Sequence, residues 1–353
     1  MTTSGRGTNG VAWEIGGETI APGERRTVDL PISVLSDHTP ATLSVHVVHG
    51  RRSGPTAFIS AGIHGDEVVG AEIIRRVLRH PGLGRLAGTM LVVPIVNTYG
   101  FLSHSRYLPD RRDLNRSFPG SSEGSLAARL ANRFMEEVVA RSAFGIDLHS
   151  AAVHRTNLPQ LRVSPGDTGA LRIARAFGAP VILDAPVRDG SLRSAAQARG
   201  VDVVVYEAGE GLRFDERSVR AGVSGILRVL RDQRMVPARG VAKPRRDPLE
   251  CSTSRWLRAP QGGLLRTYRS EGDVVREGDL LAAVSDPFGQ AETNVIAEFD
   301  GIIVGRTLLP IVNEGDALFH VARLSETKRA SSTVEALTNQ LAQDPLFDED
   351  EII

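Results

Sequence analysis

The chain has 353 residues, 41% hydrophobic and 24% charged, the make-up of a soluble globular protein long enough for two domains. Lys+Arg and Asp+Glu both number 42, so the formal net charge is zero, which argues against a broad electrostatic grip on nucleic acid or on an anionic membrane. A single cysteine, Cys251, rules out an intrachain disulfide and suits a reducing cytoplasm; no run approaches the roughly 20 apolar residues of a membrane span, and the N-terminus lacks the apolar core of a signal peptide.

Residues 1–10 are small and polar and read as a disordered N-terminus. Residues 11–50 alternate apolar and polar positions, as in Leu43-Ser44-Val45-His46-Val47, and predict strands. From residue 55 to about 235 short apolar runs alternate with amphipathic stretches. The runs predict strands at 56–61, 89–96, 144–149, 180–184 and 202–207. The amphipathic stretches predict helices at 66–80, 123–141, 167–177, 191–199 and 215–233. Such alternation implies a sheet that is at least partly parallel, in which ligands gather at the carboxyl ends of the strands.

Several of those ends carry chemistry. The first strand runs into A-G-I-H-G-D-E (61–67), which sets His64 and Glu67 three residues apart on a glycine-flanked turn. Imidazole nitrogen and carboxylate oxygen both suit zinc, which needs a third protein ligand and one open position for catalysis. The pair alone is weak, because H-x-x-E spacings arise by chance. The loop S-R-Y-L-P-D-R-R-D-L-N-R-S-F-P-G (105–120) is rich in arginine, whose planar fork matches a carboxylate. Arg111 and Arg112 read as solvated. Asn115 and Arg116, between Leu114 and Phe118, are expected to be partly buried, so that a substrate carboxylate could supply the guanidinium's partner.

His149 ends F-G-I-D-L-H, and strand alternation sets Asp147 on its face as a possible orienting carboxylate. A capping or core histidine is the plainer alternative, with His154 and His104 as spare ligands. The stretch A-A-V-H-R-T-N-L-P-Q after Ser150 is a candidate pocket wall. Glu207 ends V-V-V-Y-E and could carry a proton beside a metal, although a solvent-facing acid is as plausible and Glu210 lies close by.

The proline- and arginine-rich segment 237–249 reads as a linker between a catalytic part, 11–236, and an all-β part, 250–324. The latter has two similar halves: Glu277-Gly278-Asp279 recurs 37 residues on as Glu314-Gly315-Asp316, and Gly263 recurs 38 on as Gly301. That spacing predicts a pseudo-twofold β-sandwich or barrel resembling the biotinyl/lipoyl carrier fold. A carrier needs a lysine, and the chain has only Lys243 and Lys328, so the module reads as structural or as a homo-oligomer contact. Residues 325–353 read as a tail, partly helical and then solvated.

Taken in order, H-G-D-E, then R-Y…D-L-N-R, then D-L-H, then E-A-G, the chain resembles the aspartoacylase/succinylglutamate desuccinylase family over about residues 40–323, a family similar to the zinc carboxypeptidases. The resemblance implies an α/β fold, a mixed and mostly parallel sheet flanked by helices. It implies one zinc ion held by His64, Glu67 and His149, with Asn115 and Arg116 on the substrate carboxylate. Glu207 falls on the family's general base and acid, and Arg106, by the R-Y match, on the residue that stabilises the oxyanion. The implied activity is a zinc-dependent hydrolase of linear amide bonds that removes an acetyl, succinyl or similar group from an N-acyl amino acid. A carboxypeptidase acting on short peptides and a non-catalytic binding protein that keeps the fold are the alternatives.

Overall fold

The computed structural model describes residues 10–244, 246–324, 332–336 and 339–340. The expected disordered N-terminus lies outside the described residues except for Gly10, and most of the expected tail lies outside them too. Among the described residues no helix is long and apolar enough to cross a membrane.

An α/β fold is formed, built on a mixed 13-stranded sheet flanked by helices. Its centre is parallel: Ala87–Val93, Arg52–Ala61, Phe144–His149 and Asp202–Gly209 lie side by side in that order. Beyond Ala87–Val93 come the antiparallel strands Pro40–His49 and Arg25–Val34, the alternating region of the sequence. The parallel centre follows from residues buried on both faces: every residue of Phe144–His149 and of Ala87–Val93 is buried. Alternation still sorts the layers. Ala57 and Ile59 pack with the helices Val69–Arg79, Thr168–Phe177 and Glu216–Asp232. Phe58 packs on the other face with the helices Leu126–Phe134 and Leu192–Gln197.

Helix starts follow the capping chemistry legible in the chain. Asp167, Ser191 and Asp215 each accept a backbone N–H of the first turn. Two predicted helices differ. The stretch from Glu123 begins only at Leu126, because Ser125 is its cap, and ends in a π-helical turn at Met135–Val139. The stretch from Asp66 begins at Val69 with no side-chain cap, because Val68 at the cap position has no polar side-chain atom to offer.

The strand Arg155–Val163 was not expected. Its Pro159 and polar Asn157 and Gln160 argue against a central strand. It nevertheless pairs antiparallel with Asp202–Gly209, and the register slips between Glu207 and Gly209, so that the ladder is broken where the proline has no N–H to give. On its other side it has two partners in tandem. Its second half pairs with Val181–Asp184, and its first half pairs with Gly301–Thr307 from the C-terminal region. The strands Ser254–Arg258, Gly301–Thr307 and Ala317–Arg323 therefore continue the main sheet, while a separate 4-stranded sheet completes the C-terminal core. The two E-G-D turns exchange backbone bonds symmetrically. Gly278 donates to Ala297 and Ala297 to Asp279; Gly315 donates to Ala259 and Ala259 to Asp316.

Candidate active site

The A-G-I-H-G-D-E turn leaves the sheet at Gly62, whose φ of +64° is the left-handed conformation that glycine adopts without strain. Gly65 passes so close to Gly100 that a Cβ there would sit 1.9 Å from its carbonyl carbon. The turn therefore lies flat against the short helix Thr98–Leu102 and directs His64 and Glu67 inward, 4% and 3% exposed. His149, at the end of the adjacent parallel strand, is 3% exposed.

These three side chains converge, each offering one donor atom within 4.8 Å of the others. The Glu67 carboxylate bridges the two imidazoles: Oε1 lies 2.7 Å from His64 Nδ1 and Oε2 2.7 Å from His149 Nδ1, and Oε2 also accepts the Ser150 N–H. Asp147 lies 2.7 Å from His149 Nε2 and is itself held by the Ser60 hydroxyl at 2.8 Å. With its outer nitrogen so engaged, a neutral His149 presents the Nδ1 lone pair inward. The outer His64 nitrogen is buried without a hydrogen bond, 3.3 Å from Asp113 Oδ1.

Charge fits the same picture. Burial opposes a charged His149, but Asp147 and Glu67 outweigh it and hold its pKa well above the imidazole value. Burial likewise opposes a charged His64, and Glu67 and Asp113 again prevail. Glu67 is held far below the carboxylate range, since the two imidazoles overcome its burial. Three carboxylates about two buried imidazoles make a locus that favours positive charge. Two inward ring nitrogens, one carboxylate and an oriented outer partner fit a divalent cation.

The cluster forms part of the wall of a cavity of about 790 Å³, and Arg106, Asn115, Arg116 and Glu207 line that cavity as well. Arg106 donates through Nε and Nη2 to one oxygen of Asp113, at 3.1 and 2.9 Å, and its Nη1 lies 3.6 Å from Glu67. Asn115 accepts the Leu192 N–H at 2.9 Å, so its carbonyl is committed and its amide donors remain. Arg116 corrects the sequence reading: the short turn Leu114–Arg116 buries Leu114 and leaves Arg116 exposed, braced on the backbone carbonyl of Asn115. Glu207 accepts from Asn157 Nδ2 at 3.1 Å and lies 3.3 Å from Arg162 Nε. Its neighbour Glu210 instead accepts the His154 N–H; the spare histidines His104 and His154 are both exposed.

Sequence reasoning missed several residues of this cavity. Asp113 links His64, Arg106 and the Asn115 N–H; its signal was the D-x-N turn it caps. Arg162 and Arg193 enter from the unexpected strand and from the helix Leu192–Gln197. Burial, then the charge of Arg162, pushes Arg193 down to about 10. From the C-terminal strands come Trp256 and His320, stacked with centroids 4.8 Å apart, with Arg155 over the indole. Burial and then Arg162 push His320 down to about 3, so it is neutral near pH 7. No local pattern announces Arg162, Trp256 or His320, because each reaches the cavity through strand pairing with a distant segment.

The molecule is thus an α/β protein with a buried His–Glu–His cluster at the carboxyl ends of parallel strands, able to hold a metal ion. The chain belongs to the succinylglutamate desuccinylase/aspartoacylase catalytic-domain family, whose model matches residues 53–232. It is 29% identical over 314 residues to the N-alpha-acetyl-L-2,4-diaminobutyric acid deacetylase of Halomonas elongata, covering 84% of this chain and 91% of that protein. It is 26% identical over 246 residues to the succinylglutamate desuccinylase of Burkholderia mallei, 64% of each. Its fold is similar to that of the product-bound ectoine utilization protein EutE from Ruegeria pomeroyi, with a TM-score of 0.75 at 23% identity over 85% of this chain and 95% of that one. A succinylglutamate desuccinylase/aspartoacylase from Rhodobacter sphaeroides gives 0.74 at 24%, with the same coverage of each chain.

Proposed function

We propose that the chain is a zinc-dependent amidohydrolase that removes an acyl group from an N-acyl amino acid or a related small amine. One observation carries the reading: His64, Glu67, His149, Arg106, Asn115, Arg116 and Glu207, drawn from four separate stretches of the chain, all line one cavity. Kinship with an N-acetyl-diaminobutyrate deacetylase supports deacylation of a small amino-acid derivative. Ser252–Ser254, Trp256 and His320 from the C-terminal region add to the wall of the same cavity. One buried free cysteine and the sequence composition favour the cytoplasm.

His64, Glu67 and His149 would hold the zinc ion, which when bound supplies a Lewis acid that polarises the amide carbonyl and acidifies water. The protein does the rest. Arg116 and the Asn115 amide anchor the substrate carboxylate. Arg106, braced by Asp113, meets the negative charge that develops on the carbonyl oxygen. Glu207 takes a proton from the attacking water and delivers it to the departing amine nitrogen, so that one carboxyl group serves as base and then as acid. We read residues 250–324 as an accessory module of carrier-like sandwich form. With no lysine between Pro244 and Thr327 it has no swinging arm, and its role is to wall the cavity.

Metal analysis of the protein as isolated and a hydrolysis screen over N-acetyl and N-succinyl amino acids test the reading. We expect about one zinc per chain, turnover of at least one substrate, and loss of both metal and turnover in His64→Ala. Zinc-loaded protein that hydrolyses none of them, with His64→Ala indistinguishable from wild type, overturns it.

A further inference from the structure

A general base works only if its carboxylate faces the proton it takes, so the neighbours that orient Glu207 bear on the rate. On one side Glu207 has His149 as register partner across the parallel pair. On the other lies Arg155–Val163, where Gln160 stands opposite. The register slip at Pro159 brings Asn157 round to the face of Glu207, and Asn157 Nδ2 donates to Oε2 at 3.1 Å. Arg162, two residues beyond Gln160, sets its Nε 3.3 Å from Oε1. Each carboxylate oxygen thus has a partner on the same strand.

Asn157 has little freedom of its own. It is 7% exposed and is the register partner of Gly305 in the C-terminal strand Gly301–Thr307. A Cβ at 305 would sit 2.5 Å from Asn157 Oδ1. Gly305 does not lie in the left-handed region, so this glycine serves space and not backbone freedom. Because Oδ1 and Nδ2 belong to one planar amide, moving the first away from residue 305 also moves the second, which holds Glu207. One residue earlier, the Val304 carbonyl accepts from Gln160 Nε2 at 3.0 Å and ties the two strands together again.

We propose that the C-terminal strands set the orientation of Glu207 through Asn157: Gly305 leaves the space in which the Asn157 amide holds one carboxylate oxygen, while Arg162 faces the other. Asn157 and Arg162 are positioning residues, and Gly305 acts through Asn157 from outside the cavity. The proposal rests on Glu207 carrying the proton, and it gives the C-terminal strands a part in turnover beyond closing the cavity.

The test is a double-mutant cycle read by kinetics on a substrate from the screen and by crystal structures of the variants. Asn157→Ala is expected to lower kcat by roughly 10- to 100-fold, the cost of a loosely held catalytic group. KM should stay within about twofold, since no anchoring interaction is lost. Metal content stays as in wild type, and the Glu207 carboxylate turns from its wild-type position. Gly305→Ala is expected to lower kcat when Asn157 is present and to add nothing in the Asn157→Ala background. If Asn157→Ala does not fold, the near-isosteric Asn157→Asp, which replaces the donor with a like charge, takes its place and should lose at least as much kcat. Wild-type kcat in the Asn157 variant, or an equal loss from Gly305→Ala in both backgrounds, overturns the proposal. If wild-type protein hydrolyses no N-acyl amino acid, the functional reading falls separately. The crystal structures then decide: a carboxylate that keeps its position without the Asn157 amide overturns the proposal, and one that turns supports it.

Discussion

At the scale of single residues, Asp147 and Glu207 separate two kinds of carboxylate. Asp147 is 1% exposed, is hydrogen-bonded by Ser60 and touches only the outer nitrogen of His149. Its work is to fix which imidazole nitrogen faces inward. Asp147→Asn keeps the shape and weakens that bias, so zinc affinity should fall by about 10- to 100-fold, read by competition with a chelator of known affinity. An unchanged affinity would remove Asp147 from the metal's support. Glu207 is instead partnered by Asn157 and Arg162, while the imidazoles are partnered by Glu67 and Asp147. Glu207→Gln should therefore retain full metal content while kcat falls by roughly 10²- to 10⁴-fold. A loss of zinc in parallel with activity would contradict the proton-carrying role. His64, Glu67, Asp147, His149 and Glu207 could be singled out in the sequence because each closes or follows an apolar run, and alternation sets Asp147 and His149 on one face. Asn157 and Arg162 were not legible, because their partner is chosen by a strand pairing that a local pattern does not encode; Asp113 showed only as the cap of its turn, and not as the partner of His64 and Arg106.

At the scale of elements, the helix Val69–Arg79 carries the turn that bears Glu67 and has no side-chain cap to start it. Its fixation comes from the helix Glu216–Asp232. Arg76 donates to Glu72 on its own helix and, through both Nη atoms, to Glu216 at 2.7 Å. Glu216 is held below the ordinary glutamate value of 4.5, by Arg76 first. Glu72 is depressed too, by Arg75 first and by Arg76 after the opposing effect of burial. A depressed carboxylate contributes stability above its unfolded pKa and loses it as pH falls through the folded value. Arg76→Met is therefore expected to cost about 1 kcal/mol at pH 7, a modest figure because the Glu216 side chain is 51% exposed and water screens the pair. The difference from wild type should shrink below about pH 4. Denaturant titrations at pH 7 and pH 3 check it; an undiminished gap at pH 3 would mean packing, not charge, joins the helices.

At the scale of the whole molecule, strand Arg155–Val163 joins the parallel centre of the sheet to Gly301–Thr307 by continuous backbone pairing. The C-terminal strands then add Cys251 and Ala322 to a small core shared with Leu158 and Val181. Two regions joined by one hydrogen-bonded sheet and a common core should not melt apart. Calorimetry is expected to give a single transition with van't Hoff and calorimetric enthalpies equal within about 10%, and two resolved peaks would show the regions to be independent. Zinc present at about 100 times its dissociation constant should stabilise the folded state by about 2.7 kcal/mol. His149→Ala should abolish that gain.

The alternation of strand and helix, the helix caps, the layer each strand residue joins and the residue types of the His–Glu–His cluster were all determined by the amino-acid order, because periods of 2 and 3.6 and a capping oxygen act within a few residues of chain. Tertiary structure alone decided that Pro159 sits in a strand beside Glu207, that Arg116 stands exposed at the cavity, and that Trp256, His320 and Gly305 come within reach of the site. Those outcomes depend on which strands pair and in what register, and that is settled by the burial of whole faces at once rather than by any short stretch read by itself.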